Sequence, residues 1–406
     1  MSLWHFSTDH KGNVAPAFGL AMVPLIGLIG MAIDYSTANS ARTALQAAVD
    51  ATALSLAEQA QHLSVNQMTQ LGPNYVTADF HRSDAQITDK TTNYDPVSSI
   101  VTVTAGGNVP AAFMQLFNTK QIPISVQAKA RAANDGLGCV LSLNPSASGA
   151  TTVKGTADIR LNGCDLYDDS ANASALAATG SGTISAHYVG VVGNISGKGA
   201  ISATNGIGTG VSPIHDPYAA MNFPAFSGCT DHNLTVKNDT TISPGVYCGG
   251  IQVNAGATLT LNPGIYYVDR GTFTVNGGAT VNGTDVTIVF TSSNGSNYAT
   301  ASFNGGANIN LSAPSSGPTA GIVLFGDRNM PAGTAFSFNG GSTQVLGGAI
   351  YTPKAAVSFA GGANTTTGCT KLIGDTVTFT GNSNFAIDCS GVGTKAIGKI
   401  IASLLQ

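Results

Sequence analysis

The stretch FNGGANINL, residues 303–311, decides the fold because it has sisters: VNAGATLTL at 253–261, VNGGATVNG at 275–283, FNGGSTQVL at 338–346, FAGGANTTT at 359–367 and FTGNSNFAI at 379–387. VKGTADIRL at 153–161 and ISGKGAISA at 195–203 are weaker copies. Each copy opens on an apolar residue, passes a turn of small residues, and resumes with alternating apolar and polar positions. The strands this allows are short, roughly three to five residues, and none buries a face alone. Repetition every ~20–35 residues solves the problem by stacking, with Val, Ile, Leu and Phe forming a shared column and Thr, Asn and Ser facing water. The fold class read from this is mainly β, with a right-handed parallel β-helix over residues 136–392. A β-sandwich is the alternative, although hairpins do not produce this spacing. The apolar tail KAIGKIIASLL, 395–405, is expected to cap the open end of the column within a segment 393–406.

Composition agrees with many tight turns. The 406 residues include 50 Gly, and only 9% are Asp, Glu, Lys or Arg. An ordinary soluble domain carries about 25% charged residues, so uncharged polar groups must solvate this surface. The net charge of −4 offers no basic field and excludes nucleic acid as a partner. The cysteines are Cys139, Cys164, Cys229, Cys248, Cys369 and Cys389. Paired in order they close loops of roughly 20–25 residues, each worth about 3 kcal/mol in an oxidising compartment. Other connectivities fit the spacing too. No Cys-x-x-Cys occurs, so zinc is not expected.

Val14 to Ile33, VAPAFGLAMVPLIGLIGMAI, contains no charged residue. Twenty such residues cross the ~30 Å hydrocarbon layer of a bilayer. A cleaved signal would have a shorter apolar region and a small-residue cleavage site, whereas Asp34-Tyr35-Ser36 follows directly. The segment therefore reads as an uncleaved anchor. Lys11 precedes it and the first cation after it is Arg42, which places the N-terminus in the cytoplasm and the bulk of the chain outside. Beyond the span, Ala, Leu and Gln favour continued helix through residue 63 and onward to Gly72-Pro73, with a kink expected at Pro24. Leu45, Val49, Thr52, Leu56, Gln59 and Leu63, flanked by Ala38, Ala41, Ala48 and Ala60, form a narrow small-residue face. That face suits either a partner helix or the chain's own next domain.

These residues resemble the N-terminal region of TadG-like proteins of the Flp-type, or tight-adherence, pilus assembly system. The pattern is Lys11-Gly12-Asn13-Val14-Ala15, the apolar span, Gly30-x-x-x-Asp34-Tyr35, and Leu45-Gln46-Ala47-Ala48-Val49-Asp50-Ala51-Thr52-Ala53-Leu54. SIVTVTA, VPAAFMQLF and QIPISVQAKARA extend it as strand, short helix and strand, giving an anchor over 1–63 and a small α/β region over 64–135. The resemblance implies a single-pass inner-membrane protein with its bulk in the periplasm. It would assist assembly or anchoring of an adhesive pilus by binding pilus-assembly membrane proteins, not by catalysis. Two departures matter. Ala17 stands where processed pilin-like subunits carry Glu five residues after the cleavage Gly. Asp168-Asp169-Ser170-Ala171-Asn172 does not match the Asp-x-Ser-x-Ser metal motif of many relatives, so no metal is expected there.

A search for chemistry in the repeats finds little. A lyase or hydrolase on such a scaffold needs carboxylates grouped on one face with a base nearby. Asp269, Asp285, Asp327 and Asp375 are out of phase, and Asp327-Arg328 reads as a surface turn. His215-Asp216-Pro217-Tyr218 reads as a rigid linker, and Asp231-His232 is an isolated pair. No catalytic residue and no cofactor is expected. The alternative function is a membrane-tethered carbohydrate-binding adhesin or polysaccharide-degrading enzyme acting on a surface glycan. A groove with aromatic and carboxylate residues on adjacent coils would favour it.

Overall fold

A computed structural model describes residues 14–60, 63–96, 98–134, 136–339, 343–360, 363–364, 369–386, 389 and 391–405. The chain divides into two compact units, one formed by Met1–Ala133 with Ile400–Gln406 and the other by Asn134–Lys399. Lys11 and Gly12 lie outside the described residues.

In the first unit, helix α1 runs from Val14 to Glu58 and continues through Pro24. Its two halves differ in burial. Between Phe18 and Ile33 the large apolar side chains except half-buried Met31 are bare, with Leu20 82% exposed. From Asp34 onward the small-residue face is buried, including Ala38, Ala41, Leu45, Val49, Thr52 and Leu56. Its partner is the chain's own antiparallel sheet: β1 (Gln86–Asp95), β2 (Ile100–Pro110) and β3 (Gln121–Asn134). Along β2, Val101, Val103, Ala105 and Val109 alternate toward that face, the period-2 pattern of a half-buried strand.

The helix does not continue to Gly72-Pro73. It ends at Glu58, and a second helix, α2 (Val65–Asp79), starts from Ser64. Ser64 Oγ accepts from Gln67 N at 3.3 Å while Gln67 Oε1 accepts from Ser64 N at 2.9 Å. This reciprocal capping box makes a new start more favourable than continuation. Gly72 and Pro73 then fall inside α2, where Gly72 is buried and Thr92 occupies the space a side chain would fill.

The tail also departs from expectation. Ile400–Leu405 is the fourth strand of the first unit's sheet, beside β3, so these residues are not a cap on the repeats.

Among the described residues the second unit is built on a 20-stranded sheet. Every pairing described in it is parallel, which argues against the hairpins of a sandwich. One series runs from Asp231–Val236 through Gly245–Val253, Gly264–Val275, Val286–Thr291, Ile322–Gly326 and Thr343–Ala360 to Thr370–Phe379. The next strand in space is Gly138–Ser142, followed by Asp165–Asp168, Val189–Val191 and Ile207–Thr209. The repeats earliest in sequence thus stack on the last one.

The repeated motif is in register with itself. Val253 pairs with Val275, Val275 with Phe303, Phe303 with Phe338, Phe338 with Phe359, Phe359 with Phe379, and Phe379 with Val153. All seven are buried, and the rings of Phe303, Phe338, Phe359 and Phe379 follow at centroid distances of 5.2, 6.0 and 6.3 Å. The turns stack as well. Gly256, Gly278 and Gly306 hold φ of 79°, 79° and 85°, which a side chain would resist. Gly256 N donates to Gly278 O, and Gly278 N to Gly306 O.

The six cysteines form Cys139–Cys164, Cys229–Cys248 and Cys369–Cys389, the sequential pairing.

Candidate functional site

In the first unit the family-like motif has a clear geometry. Asp34 ends the bare part of α1, and its carboxylate accepts three backbone N–H groups, from Ala112 at 3.0 Å, Phe113 at 2.8 Å and Met114 at 2.7 Å. Such convergent charge-assisted bonds are stronger than neutral ones. They fix the loop between β2 and β3 to the helix. Gly30, one turn earlier, makes the approach possible: a Cβ there would lie 2.5 Å from Cβ of Phe113.

In the second unit the segment 210–230, within which His215-Asp216-Pro217-Tyr218 reads from sequence as a rigid linker, is a strap crossing the outer face of the parallel strands. Its contacts follow chain order. Ile214 N donates to Asp169 at 2.8 Å, Tyr218 packs on Tyr351 with centroids 5.3 Å apart, Phe223 on Phe325 at 4.1 Å, and Phe226 on Tyr267 at 4.8 Å. Tyr267 OH donates to Pro224 O at 2.7 Å, and Cys229 is bonded to Cys248 at the far end.

Arg328 fastens the middle of the strap. Its guanidinium donates to Met221 O at 2.7 Å, to Tyr218 O, and to Tyr351 OH at 3.0 Å. It also lies 5.5 Å from the Phe325 ring centroid and 5.4 Å from that of Tyr351. Tyr351 OH in turn donates to Asp216 at 2.8 Å. Burial and the neighbouring Asp216 charge push the Tyr351 hydroxyl well above the ordinary tyrosine range, and burial is the main reason Tyr218 is pushed up to about 12. Both hydroxyls remain protonated; Tyr351 OH donates to Asp216, while Tyr218 OH accepts from Lys395 N at 2.9 Å. Arg328 is therefore a clamp, and Asp327 beside it accepts from Thr291 Oγ1 at 2.7 Å and Asn329 N at 2.8 Å.

The remaining carboxylates singled out from sequence form no single cluster, although Asp168, Asp169 and Asp216 lie close enough to interact and Asp216 and Asp375 line one cleft. Asp269 is buried and engaged by Arg270 and Ser293. Asp375 accepts from Asn144 at 3.1 Å, and Asp285 is an exposed turn residue with φ 57°. Asp168 accepts from Thr151 N and Ser170 N. Asp169 is pushed up to about 7, chiefly by burial, with the Asp168 and Asp216 charges adding to it. Cys229, His232 and Cys248 place ligand atoms within 4.8 Å of one another, yet the two sulfurs are bonded together and hold no metal while oxidised.

The sequence reading missed two buried groups. Asp165 pairs with His187 Nδ1 at 2.8 Å and accepts from Tyr167 OH at 3.0 Å. Lys371 is brought down to about 8 by burial, and its Nζ donates to Lys395 O at 2.9 Å. Each stands immediately before an apolar pair, Leu166-Tyr167 and Leu372-Ile373, which was the available signal.

Two clefts flank the clamp. One, about 250 Å³, is lined by Met221–Phe226, Tyr267, Val289, Thr291, Phe325 and Asp327–Asn329. The other, about 300 Å³, includes Asp216, Arg328, Tyr351, Lys354 and Asp375.

Residues 12–59 match the model of a family described as putative Flp pilus-assembly TadE/G-like. The N-terminal segment is thus TadE/G-like, and the match ends before the parallel sheet begins. No curated protein and no solved structure matches the chain.

Proposed function

We propose that this protein is a single-pass inner-membrane protein that assists assembly or anchoring of a Tad/Flp-type adhesive pilus by binding other proteins, without catalysis. The observation that carries this reading is the coincidence of the TadE/G-like match with the bare half of α1. The anchor would place the N-terminus in the cytoplasm and the bulk of the chain beyond the span in the periplasm, where three disulfides persist. The second unit would be a right-handed parallel β-helix. Support for that comes from its parallel series, which join corresponding strands of successive repeats.

The test is fractionation of the tagged full chain, thiol labelling of its topology, and pull-down of what accompanies it. Inner-membrane location with pilus-secretion components retained supports the role. A soluble, signal-cleaved protein without them refutes it.

A second reading, glycan binding, is favoured by the strap cleft, whose lining brings Phe223 and Phe226 of the strap and Tyr267 together with Asp327 and Asn329 of the loop that follows Ile322–Gly326. Aromatic faces with nearby polar groups suit sugar rings, although here the rings already stack on one another. Glycan-array binding abolished by Asp327→Ala would establish it.

A further inference from the structure

We propose that the loop between β2 and β3 is a second membrane contact, its tip of Phe113, Leu116 and Phe117 inserting into lipid beside α1 on the side where the chain leaves the bilayer. This rests on the reading of α1 as a membrane span.

The loop is a built element. Ala111 N donates to Lys120 O at 3.0 Å and closes its base. Asp34 holds Ala112, Phe113 and Met114 by their N–H groups, and Met114–Phe117 forms a 3₁₀ turn ended by Asn118 at φ 68°. Gln115, between the apolar residues of the tip, donates from its side-chain Nε2 back to Ala111 O, and exposed Asn118 follows at the end of the turn. One amide donor is thereby partnered within the loop, which lowers the cost of placing it against lipid.

The tip then lies along the helix toward its N-terminus. A Cβ on Gly30 would meet Phe113, and a Cβ on Gly27 would lie 3.3 Å from Cζ of Phe117. Gly27 is seven residues before Asp34, or ~10 Å along the axis at ~1.5 Å per residue. Phe117 therefore reaches the level of α1 residues whose only suitable surroundings are apolar: Ile26, Leu28 and Ile29 are all bare.

The tip itself is uncovered. Leu116 is 78% exposed, Phe117 57% and Phe113 36%. This surface is continuous with that of the span, so the bilayer that covers one covers the other. Lys120, exposed at the loop base, is placed to meet lipid head groups. Gly30-x-x-x-Asp34 thus gains a physical role: Gly30 admits the loop, and Asp34 fixes it.

The described cysteines are all bonded, so single introduced cysteines can be labelled selectively. The full chain is reconstituted in phosphatidylcholine–phosphatidylglycerol vesicles with spin-labelled lipid. It carries an environment-sensitive fluorophore at Leu116→Cys, Phe117→Cys, Val23→Cys in the span, or Ser98→Cys at the far end of β2. The expected result is several-fold stronger lipid quenching at positions 116, 117 and 23 than at 98, with iodide quenching only 98. Iodide quenching of 116 and 117 with 23 still in lipid overturns the loop insertion alone, and so does shielding of both from either quencher, which would mean a protein contact. Loss of lipid quenching at 23 overturns the span reading and the insertion with it.

Discussion

Replacing Gln344 by leucine should stabilise the second unit. Leu259 pairs with Val281, Val281 with Ile309, and Ile309 with Gln344. The first three fill the apolar column, and Gln344 occupies the same position at 1% exposure. Neither its Nε2 nor its Oε1 has a hydrogen-bond partner among the described residues. A buried amide without partners costs ~1–3 kcal/mol by protein mutational data. Leucine is close in volume and brings a favourable burial of ~1.5–3 kcal/mol. Allowing for imperfect packing, Gln344→Leu is expected to stabilise by about 3 kcal/mol, a rise in Tm of roughly 6–12 °C. Thermal unfolding of the detergent-solubilised full chain, with oxidised disulfides, reads this directly. A fall in Tm with unchanged circular dichroism would refute the reasoning, because it would mean the amide is hydrogen-bonded and its polarity is needed.

Three further outcomes follow from buried groups and the strap. Asp169 keeps its proton up to about pH 7 in the fold but releases it near 3.9 when unfolded. Its contribution to stability is therefore present at acid pH and lost as pH rises through that window, so Asp169→Asn should match the parent near pH 4 and exceed it at pH 8 by up to ~4 kcal/mol, measured by urea titration. Arg328→Ala removes the donor that Met221 O, Tyr218 O and Tyr351 OH share and should cost about 3 kcal/mol, with limited proteolysis cutting first within 214–226. Converting Cys229 and Cys248 to Ser opens the 19-residue separation they close; equilibrium denaturation should show a loss near 3 kcal/mol.

The repeat was legible because its period is written in side chains. The first residue of seven of the eight quoted copies proved to be a rung of one ladder, from Val253 to Phe379 and on to Val153, whereas Ile195 aligns through Leu176 with Thr151, two residues off it. The small-residue face of α1 and the strands of the small region were readable for similarly local reasons, whereas spacing left the disulfide connectivity open and the fold selects the sequential pairing. What was not legible depended on distant choices. The α1 break at Glu58 turns on Ser64 and Gln67, a capping signal masked by a helix-favouring run on both sides. The tail Ile400–Leu405 is as suitable for a sheet edge as for a cap, and only the presence of β3 decides between them. Arg328 looked like a turn residue because its partners, Tyr218 and Met221, are more than a hundred positions away in sequence.

The strap and the order of stacking have one physical consequence. In a simple stack of repeats each coil contacts only its neighbours, so the ends open first. Here the chain enters at Gly138 and leaves at Ile397, and Gly138 N donates to Ile397 O at 2.7 Å. Both connections thus lie in the interior of the stack. The two terminal strands, Asp231–Val236 and Ile207–Thr209, are joined to each other by the segment 210–230, whose aromatic side chains are seated on Tyr351, Phe325 and Tyr267 in turn. Opening either end must therefore pull on a strap anchored across the intervening strands, which makes local fraying cost more than one interface. The cost falls on residues facing outward, Tyr267, Phe325 and Tyr351, rather than on the phenylalanine column inside. Cooperativity in this unit is set from outside the repeat pattern, and that is why the repeats alone did not reveal it.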